Sequence, residues 1–428
     1  MRRKIFYGWW IVTATNIICM LGFGTWLYCF GVFFKPMMSE FGWTRAMTAA
    51  AYSFRGIQGG FAAPVVGWAV DKYGPRIVVF IGGVIAGLGF ILMCTINSLV
   101  AFYMIYGILL SIGMSAMLYI PAMTAIANWF VRMRSRALSI LAVGAGIGGF
   151  VCAPAAAVLI TRYGWRVSFV VMGITIWVVV LPLSLILRKK PEDIGLRPDG
   201  DPPAHAYAKE AAPILDESIP APSPERDWTL RQALASRTYY ILAFAFFLAA
   251  MTHATVIVHA VPALTDAGIS PERAAFSIGL ATLLSIIGRL LFGWLGDFLN
   301  KRYLFMVTYS IEAVGVLVLM NAHAMGSVYL FAALFGIGFG GTIPLNPAIR
   351  GQYFGRAAFG KIQGSMAPIM MMGSVLGPPF VGHLFDSSGT YRTGFLIIAL
   401  LQFFAAVTIF FARPTKVSAP KDCRGKGC

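Results

Sequence analysis

The chain has 428 residues, of which 58% are hydrophobic and only 12% charged, and its formal net charge is +17. A water-soluble protein of this length has no need of so large an apolar fraction, and 46 glycines suit closely packed membrane helices. The basic excess is not that of a nucleic-acid reader, because Lys and Arg punctuate apolar runs instead of covering one solvated face.

In chain order, Met1-Arg2-Arg3-Lys4 precedes an apolar run that reaches Phe34. That run is too long for the core of a signal peptide and reads as the first of the spans, at 7–34. Further stretches near the 20 residues needed to cross about 30 Å of hydrocarbon fall at 45–70, 76–96, 99–128, 135–161 and 166–188. A second set falls at 238–265, 272–297, 303–321, 327–350, 359–385 and 391–412. Thr44, and Ser270 ahead of Pro271 and Glu272, are the expected N-caps of the second and eighth spans. Between the sets, residues 189–236 hold nine of the 17 acidic residues and eight prolines, a composition for a polar linker with at most a short helix near Leu230–Leu234. The expected organisation is an N-terminal six-helix half (1–188), a linker (189–236), a C-terminal six-helix half (237–412) and a tail (413–428). The fold class is an all-α membrane protein of twelve spans.

The halves repeat their loop chemistry. Gly67-Trp68-x-x-Asp71-Lys72 returns 226 residues later as Gly293-Trp294-x-x-Asp297, followed by Lys301-Arg302. At the same offset Glu40 becomes Asp266, and Trp165-Arg166 becomes Tyr391-Arg392; Trp129-Phe130-x-Arg132 returns as Tyr353-Phe354-x-Arg356, displaced by 224. One recurrent spacing implies duplication. With the N-terminus inside, the inner loops hold thirteen Lys and Arg, Arg350 among them, and the outer loops six, Arg45 among them. That asymmetry places both termini in the cytoplasm. The six cysteines and five histidines show no metal-ligand spacing, and no nucleophile–base constellation appears, so no enzyme activity, metal or cofactor is expected.

The loop Gly67-x-x-x-Asp71-Lys72-x-Gly74-x-Arg76 resembles the signature of the major facilitator superfamily. Within it the chain is similar to the monocarboxylate transporter family and its bacterial relatives. The similarity is carried by Tyr7-Gly8-Trp9-Trp10, Val32-Phe33-Phe34-Lys35, Ser39-Glu40-x-x-Trp43, Trp129-Phe130-x-Arg132-x-Arg134-x-Arg136 and Gly377-Pro378-Pro379-Phe380-Val381-Gly382-His383-Leu384-Phe385-Asp386. It covers nearly the whole chain apart from linker and tail. Animal members place a lysine where this chain has Tyr28, and an aspartate where it has Ser285; their eighth-span arginine matches Arg289. The resemblance therefore implies anion binding, without that family's lysine–aspartate proton residues.

Arg289 stands eight residues before Asp297, about 12 Å from the inner end of its helix. An arginine at that depth costs roughly 2.5–3.5 kcal/mol on insertion scales and cannot lose its proton. Either it receives a substrate carboxylate, or it forms a structural pair with Glu312 on the ninth span. Arg55 is the other deep arginine, a packing group or part of an outer gate. His259 is a candidate for substrate contact and proton transfer, whereas His253 reads as packing. Tyr119, near Pro121, and Asn346, between Pro344 and Pro347, sit where proline loosens a helix and are pocket candidates. Tyr28, Phe335 and Phe339 either narrow the cavity or simply pack. Asp71, Arg76, Arg132, Asp297, Arg302 and Arg356, at inner helix ends, are the expected gate.

The expected function is secondary transport, by alternating access, of a small monocarboxylate such as lactate or a similar short-chain 2-hydroxy acid together with a proton. The expected setting is the lipid bilayer of a bacterial cytoplasmic (inner) membrane, and nothing in the sequence indicates an ancillary protein. The alternative is anion exchange of the oxalate–formate type. That type carries an eleventh-span lysine, whereas residues 366–377 hold neither Lys nor Arg.

Overall fold

The computed structural model describes residues 6–130, 133–200, 228–354 and 359–413. Among these, all regular structure is helical, and each of the twelve predicted stretches forms a long helix. They are α1 (Tyr7–Phe41), α2 (Arg45–Tyr73), α3 (Pro75–Met93), α4 (Leu99–Trp129), α5 (134–163), α6 (165–186), α7 (Arg237–Asp266), α8 (Pro271–Phe298), α9 (Lys301–Met320), α10 (Met325–Phe354), α11 (Phe359–Ser388) and α12 (Arg392–Phe410). Ten stretches are long and apolar enough to cross a membrane. One of them contains both α5 and α6, which are joined without a loop through Gly164 at φ 82° and ψ 162°. Only glycine takes that backbone conformation without strain. The chain reverses there: α6 begins with Trp165 against Glu40 and ends with Ile186 against Tyr7, antiparallel to α1.

Two helices are not regular. α1 contains a π-helical turn at Gly24–Tyr28, and α4 contains another at Tyr103–Leu110. α4 breaks again at Leu118 (φ −94°, ψ −114°), three residues before Pro121, as the missing proline N–H allows. Thr44 caps α2 as expected, its hydroxyl accepting from the Met47 N–H at 3.2 Å. Ser270 stands at the N-cap of α8 but its side chain accepts no backbone bond there. Its hydroxyl is engaged by Glu272 instead. In the linker, Leu230–Leu234 forms one helical turn under a Thr229–Gln232 capping box. Trp228 ties this segment to α10, its N–H donating to the Phe354 carbonyl at 3.1 Å.

Within each half the helices approach through glycine. A Cβ placed on Gly340 of α10 would lie 2.0 Å from the Ser285 carbonyl oxygen on α8. Gly340→Val should therefore destabilise the C-terminal half by about 1–3 kcal/mol or more. The check is a lowered thermal midpoint or loss of monodisperse protein; an unchanged midpoint would show that α8 and α10 can separate.

The halves meet mainly along two seams, α2 with α11 and α5 with α8, with a smaller contact of α1 with α7, where Gly31 faces the Ile257 carbonyl. On α2 the contacts run over the first turns: Ala46 against Gly382, Ser53 donating to the Val375 carbonyl at 2.5 Å, and Gly56 against Val375. On α5 they run from Ala142, through Gly146 and Gly149 against Thr282, to Thr161, which donates to Glu272 at 2.5 Å. Taking the ends that carry Tyr7 and Phe410 as inner, these contacts close the outer side.

The outer closure has a charged centre. Asp266 on α7 receives Lys35 and Arg45, each at 2.6 Å, both from the other half. Arg45, almost wholly buried, also donates to the Tyr391 hydroxyl at 2.6 Å and lies 3.6 Å over the Phe385 ring. Asp386 of α11 accepts from the N–H groups of Arg45 and Ala46 at 2.9 and 3.0 Å, capping the positive end of α2 from the opposite half. Arg45 is thus a buried seam residue and not a solvated loop cation. The repeat is used asymmetrically. Glu40, the counterpart of Asp266, binds Trp165 and Arg166 inside its own half.

Candidate functional site

A cavity of about 400 Å³ lies between the halves, walled mainly by α7, α10 and α11 with Tyr119 of α4 opposite. Tyr119 follows the break at Leu118 and is 52% exposed, so the cavity is open to solvent. Above it, Tyr28 joins Phe335 and Phe339 around a void of only about 20 Å³. Tyr28 is the last residue of the π turn, and its buried ring closes the throat with two phenyl groups stacked at 6.1 Å. Asn346 and Phe339 line the cavity beside Tyr119. Phe339 belongs to both cavity and throat; Tyr28 and Phe335 belong to the throat alone.

Arg289 reaches from α8 across the seam, where its Nη1 donates to the Ala142 carbonyl of α5. Its Nε is buried without a partner. Tyr28 and Tyr119 are its electrostatic neighbours, from α1 and α4. Among the described residues no carboxylate pairs with it, and Glu312 is engaged elsewhere, by His253 and Gln402. The ion-pair alternative for Arg289 is therefore excluded in this conformation.

His259 is not brought to the cavity. It is fully buried at the outer closure, with Nε2 on the Pro378 carbonyl at 2.8 Å and Nδ1 on the Tyr391 hydroxyl at 3.0 Å. A carbonyl can only accept, so Nε2 carries the proton, and the ring has no free nitrogen for substrate. Its distance below the helix end was legible, but not the tyrosine that occupies it.

Sequence reasoning missed two cavity residues. His253, read as packing, has its ring in the cavity wall. Arg350, counted with the inner loops, lies inside α10 because that helix runs on to Phe354; it is buried over Phe246 at 5.0 Å and lines the cavity. Arg55 stacks on Tyr52 at 3.8 Å and on Trp26 at 4.5 Å, within its own half.

Of the expected gate residues, Arg132, Arg356 and the Asp297 side chain lie outside the described residues. Asp71 is exposed, and its carbonyl receives Lys189; Arg302 donates to Tyr303 at 2.9 Å in its own half. Among the described residues no ion pair joins the halves at the inner side, as an inward-open conformation requires. No cluster of His, Cys, Asp and Glu among the described residues is arranged to hold a metal.

Two helical halves, a seam closed on one side and a solvent-open cavity at mid-depth define a membrane transporter of the alternating-access kind. The Major Facilitator Superfamily model matches residues 14–260 and 242–426, and the chain belongs to that superfamily. It is an integral membrane transporter and not an enzyme. Curated relatives include rat monocarboxylate transporter 13, 27% identical over 97% of this chain and 96% of that protein. Rat monocarboxylate transporter 12 is 24% identical over 96% and 86%, and human monocarboxylate transporter 11 is 27% identical over 91% and 80%. Among solved structures, a bacterial homologue of the human lysosomal transporter Spinster, in an inward-facing and occupied conformation, superposes with a TM-score of 0.72 at 15% identity, covering 95% of this chain and 97% of that one. That likeness concerns the fold.

Proposed function

We propose that the protein carries a small monocarboxylate, lactate or a similar short-chain 2-hydroxy acid, together with one proton, with both termini in the cytoplasm of a bacterial cell. The observation that carries this reading is Arg289, a guanidinium that spans the seam with a carbonyl as its one hydrogen-bond partner among the described residues. A carboxylate entering from the cavity offers two acceptor oxygens to its fork. It would also pair directly with a buried cation that no carboxylate touches among the described residues, and so favour closure of the inner side. In this reading Tyr119 and Asn346, which line the cavity, hold the rest of a short acid, and the throat of Tyr28, Phe335 and Phe339 bars its exit until the halves rock. The monocarboxylate transporters to which the chain is similar support this cargo class.

The test is radiolabelled lactate uptake by proteoliposomes. Uptake is expected to rise as the outside is acidified at constant lactate, because protons then run inward with the acid. Indifference to an imposed pH gradient would reject the coupling.

Arg350 favours a second reading. Oxalate–formate exchange calls for two cations, and besides Arg289 at the seam a second guanidinium, that of Arg350, lines the cavity. Under that reading a dicarboxylate would exchange in counterflow at a rate independent of the pH gradient.

A further inference from the structure

One polar cluster of the C-terminal half is left unused by the carboxylate site. The Glu312 side chain on α9 is fully buried, and its Oε2 meets Nε2 of His253 on α7 at 2.8 Å and the side-chain amide of Gln402 on α12. Oε1 of Glu312 and Oε1 of Gln402 are both buried without partners. Room for the acid comes from Gly338 on α10, where a Cβ would stand 2.6 Å from the Glu312 Cγ. From Lys301 the helix rises about 16 Å to Glu312, which puts the carboxyl near mid-membrane, where an isolated charge is costly. Glu312 has no surface on the cavity, whereas His253 lines it, 18% exposed and 4.8 Å edge-on from Phe339. The imidazole therefore stands between the cavity and a secluded acid.

We propose that Glu312 and His253 form the proton-binding site of this transporter. The inference rests on the proton coupling proposed above and names its carrier. With one proton shared between them the pair is neutral, as carboxylate and imidazolium or as acid and imidazole. Without it the pair carries one negative charge, which Arg289 balances when no substrate is bound. Once a carboxylate neutralises Arg289, the pair must hold its proton to leave the region uncharged. Apart from Arg350, whose charge is constant, the empty state and the fully loaded state are thus neutral, and both half-loaded states bury one further charge. Gln402 suits either form: its amide offers N–H to a carboxylate or, turned over, C=O to an acid.

The charged and titratable groups around the cluster fit this scheme. Tyr309 precedes Glu312 by one turn on α9 and lines the cavity. Arg350 on α10 lies about 6 Å from the inner helix end, and its charge is the same in every state. From α7 comes His253 itself and from α12 Gln402, while Arg289 of α8 stands apart at the seam, on the Ala142 carbonyl of α5.

The experiment compares Glu312→Gln with the unaltered protein in proteoliposomes, by two measurements on labelled lactate. Accumulation driven by an alkaline interior should fall at least tenfold in the variant, while lactate–lactate counterflow without a gradient falls far less. Arg289→Ala should lose both together. If the variant accumulates lactate as well as the unaltered protein, the assignment is overturned and the transport reading stands. If the unaltered protein ignores the gradient, the coupling itself fails and takes this assignment with it. Should Glu312→Gln not fold, His253→Gln, which keeps an amide on the carboxyl, is read by the same split. Infrared difference spectra of the unaltered protein on adding lactate should also show a change in the protonated-carboxyl stretch; a silent carboxyl region overturns the proposal.

Discussion

Arg289→Ala is expected to abolish saturable lactate uptake, with the largest effect of any single substitution at the proposed site. Removing one partner of a buried, hydrogen-bonded charge pair costs about 2–5 kcal/mol, which corresponds to roughly 30-fold to several thousand-fold in affinity. The loss should appear in binding as well as flux, as a missing lactate-induced thermal shift. Arg289→Lys should recover part of it, because an ammonium restores the charge but not the planar two-pronged fork. The substitution should leave folding intact. The arginine's one protein hydrogen bond goes to the Ala142 carbonyl, and its Nε has no partner to lose. Full uptake by Arg289→Ala would remove the anchor of the proposed mechanism.

The second large effect is conformational. Arg45→Ala should shift the protein toward the outward-open state, because this one side chain ties three helices of the opposite half. It bonds Asp266 and Tyr391, each at 2.6 Å, and covers the Phe385 ring. A hydrogen bond to a charged group contributes about 1.5–3 kcal/mol, so the inward-open population should drop by roughly tenfold to a hundredfold relative to the outward. Lys35 remains on Asp266 and sets the upper bound. Spin labels on the exposed positions Ser39 and Ser388, in a background cleared of native thiols, should report a longer outer distance in the variant. Identical distance distributions would show that helix packing, and not the clamp, holds the outer side.

The spans, the repeat and Arg289 were readable in the sequence because each leaves a local mark: length of apolar run, a fixed offset, a charge where none is tolerated. Tyr119 and Asn346 were found through neighbouring prolines, and both line the cavity. What was not readable depends on which helices meet. His253, Glu312 and Gln402 lie on three helices, 59 and 90 residues apart from the acid, and no spacing links them. His259 had the depth of a site residue, yet Tyr391 and Pro378 fill both its nitrogens. Arg350 looked like a loop cation because the apolar run ends beside it, although the helix continues for another turn. The offset between Glu40 and Asp266 revealed kinship but not that one copy binds at home and the other abroad.

The two occupants are housed differently. His253, Glu312 and Gln402 all ride on helices of the C-terminal half, so a captured proton is a passenger of one rigid body throughout the rocking motion. Arg289 instead leans across to α5, so an acid seated there straddles the hinge line and feels every degree of rotation. The first cargo is carried; the second is also the latch.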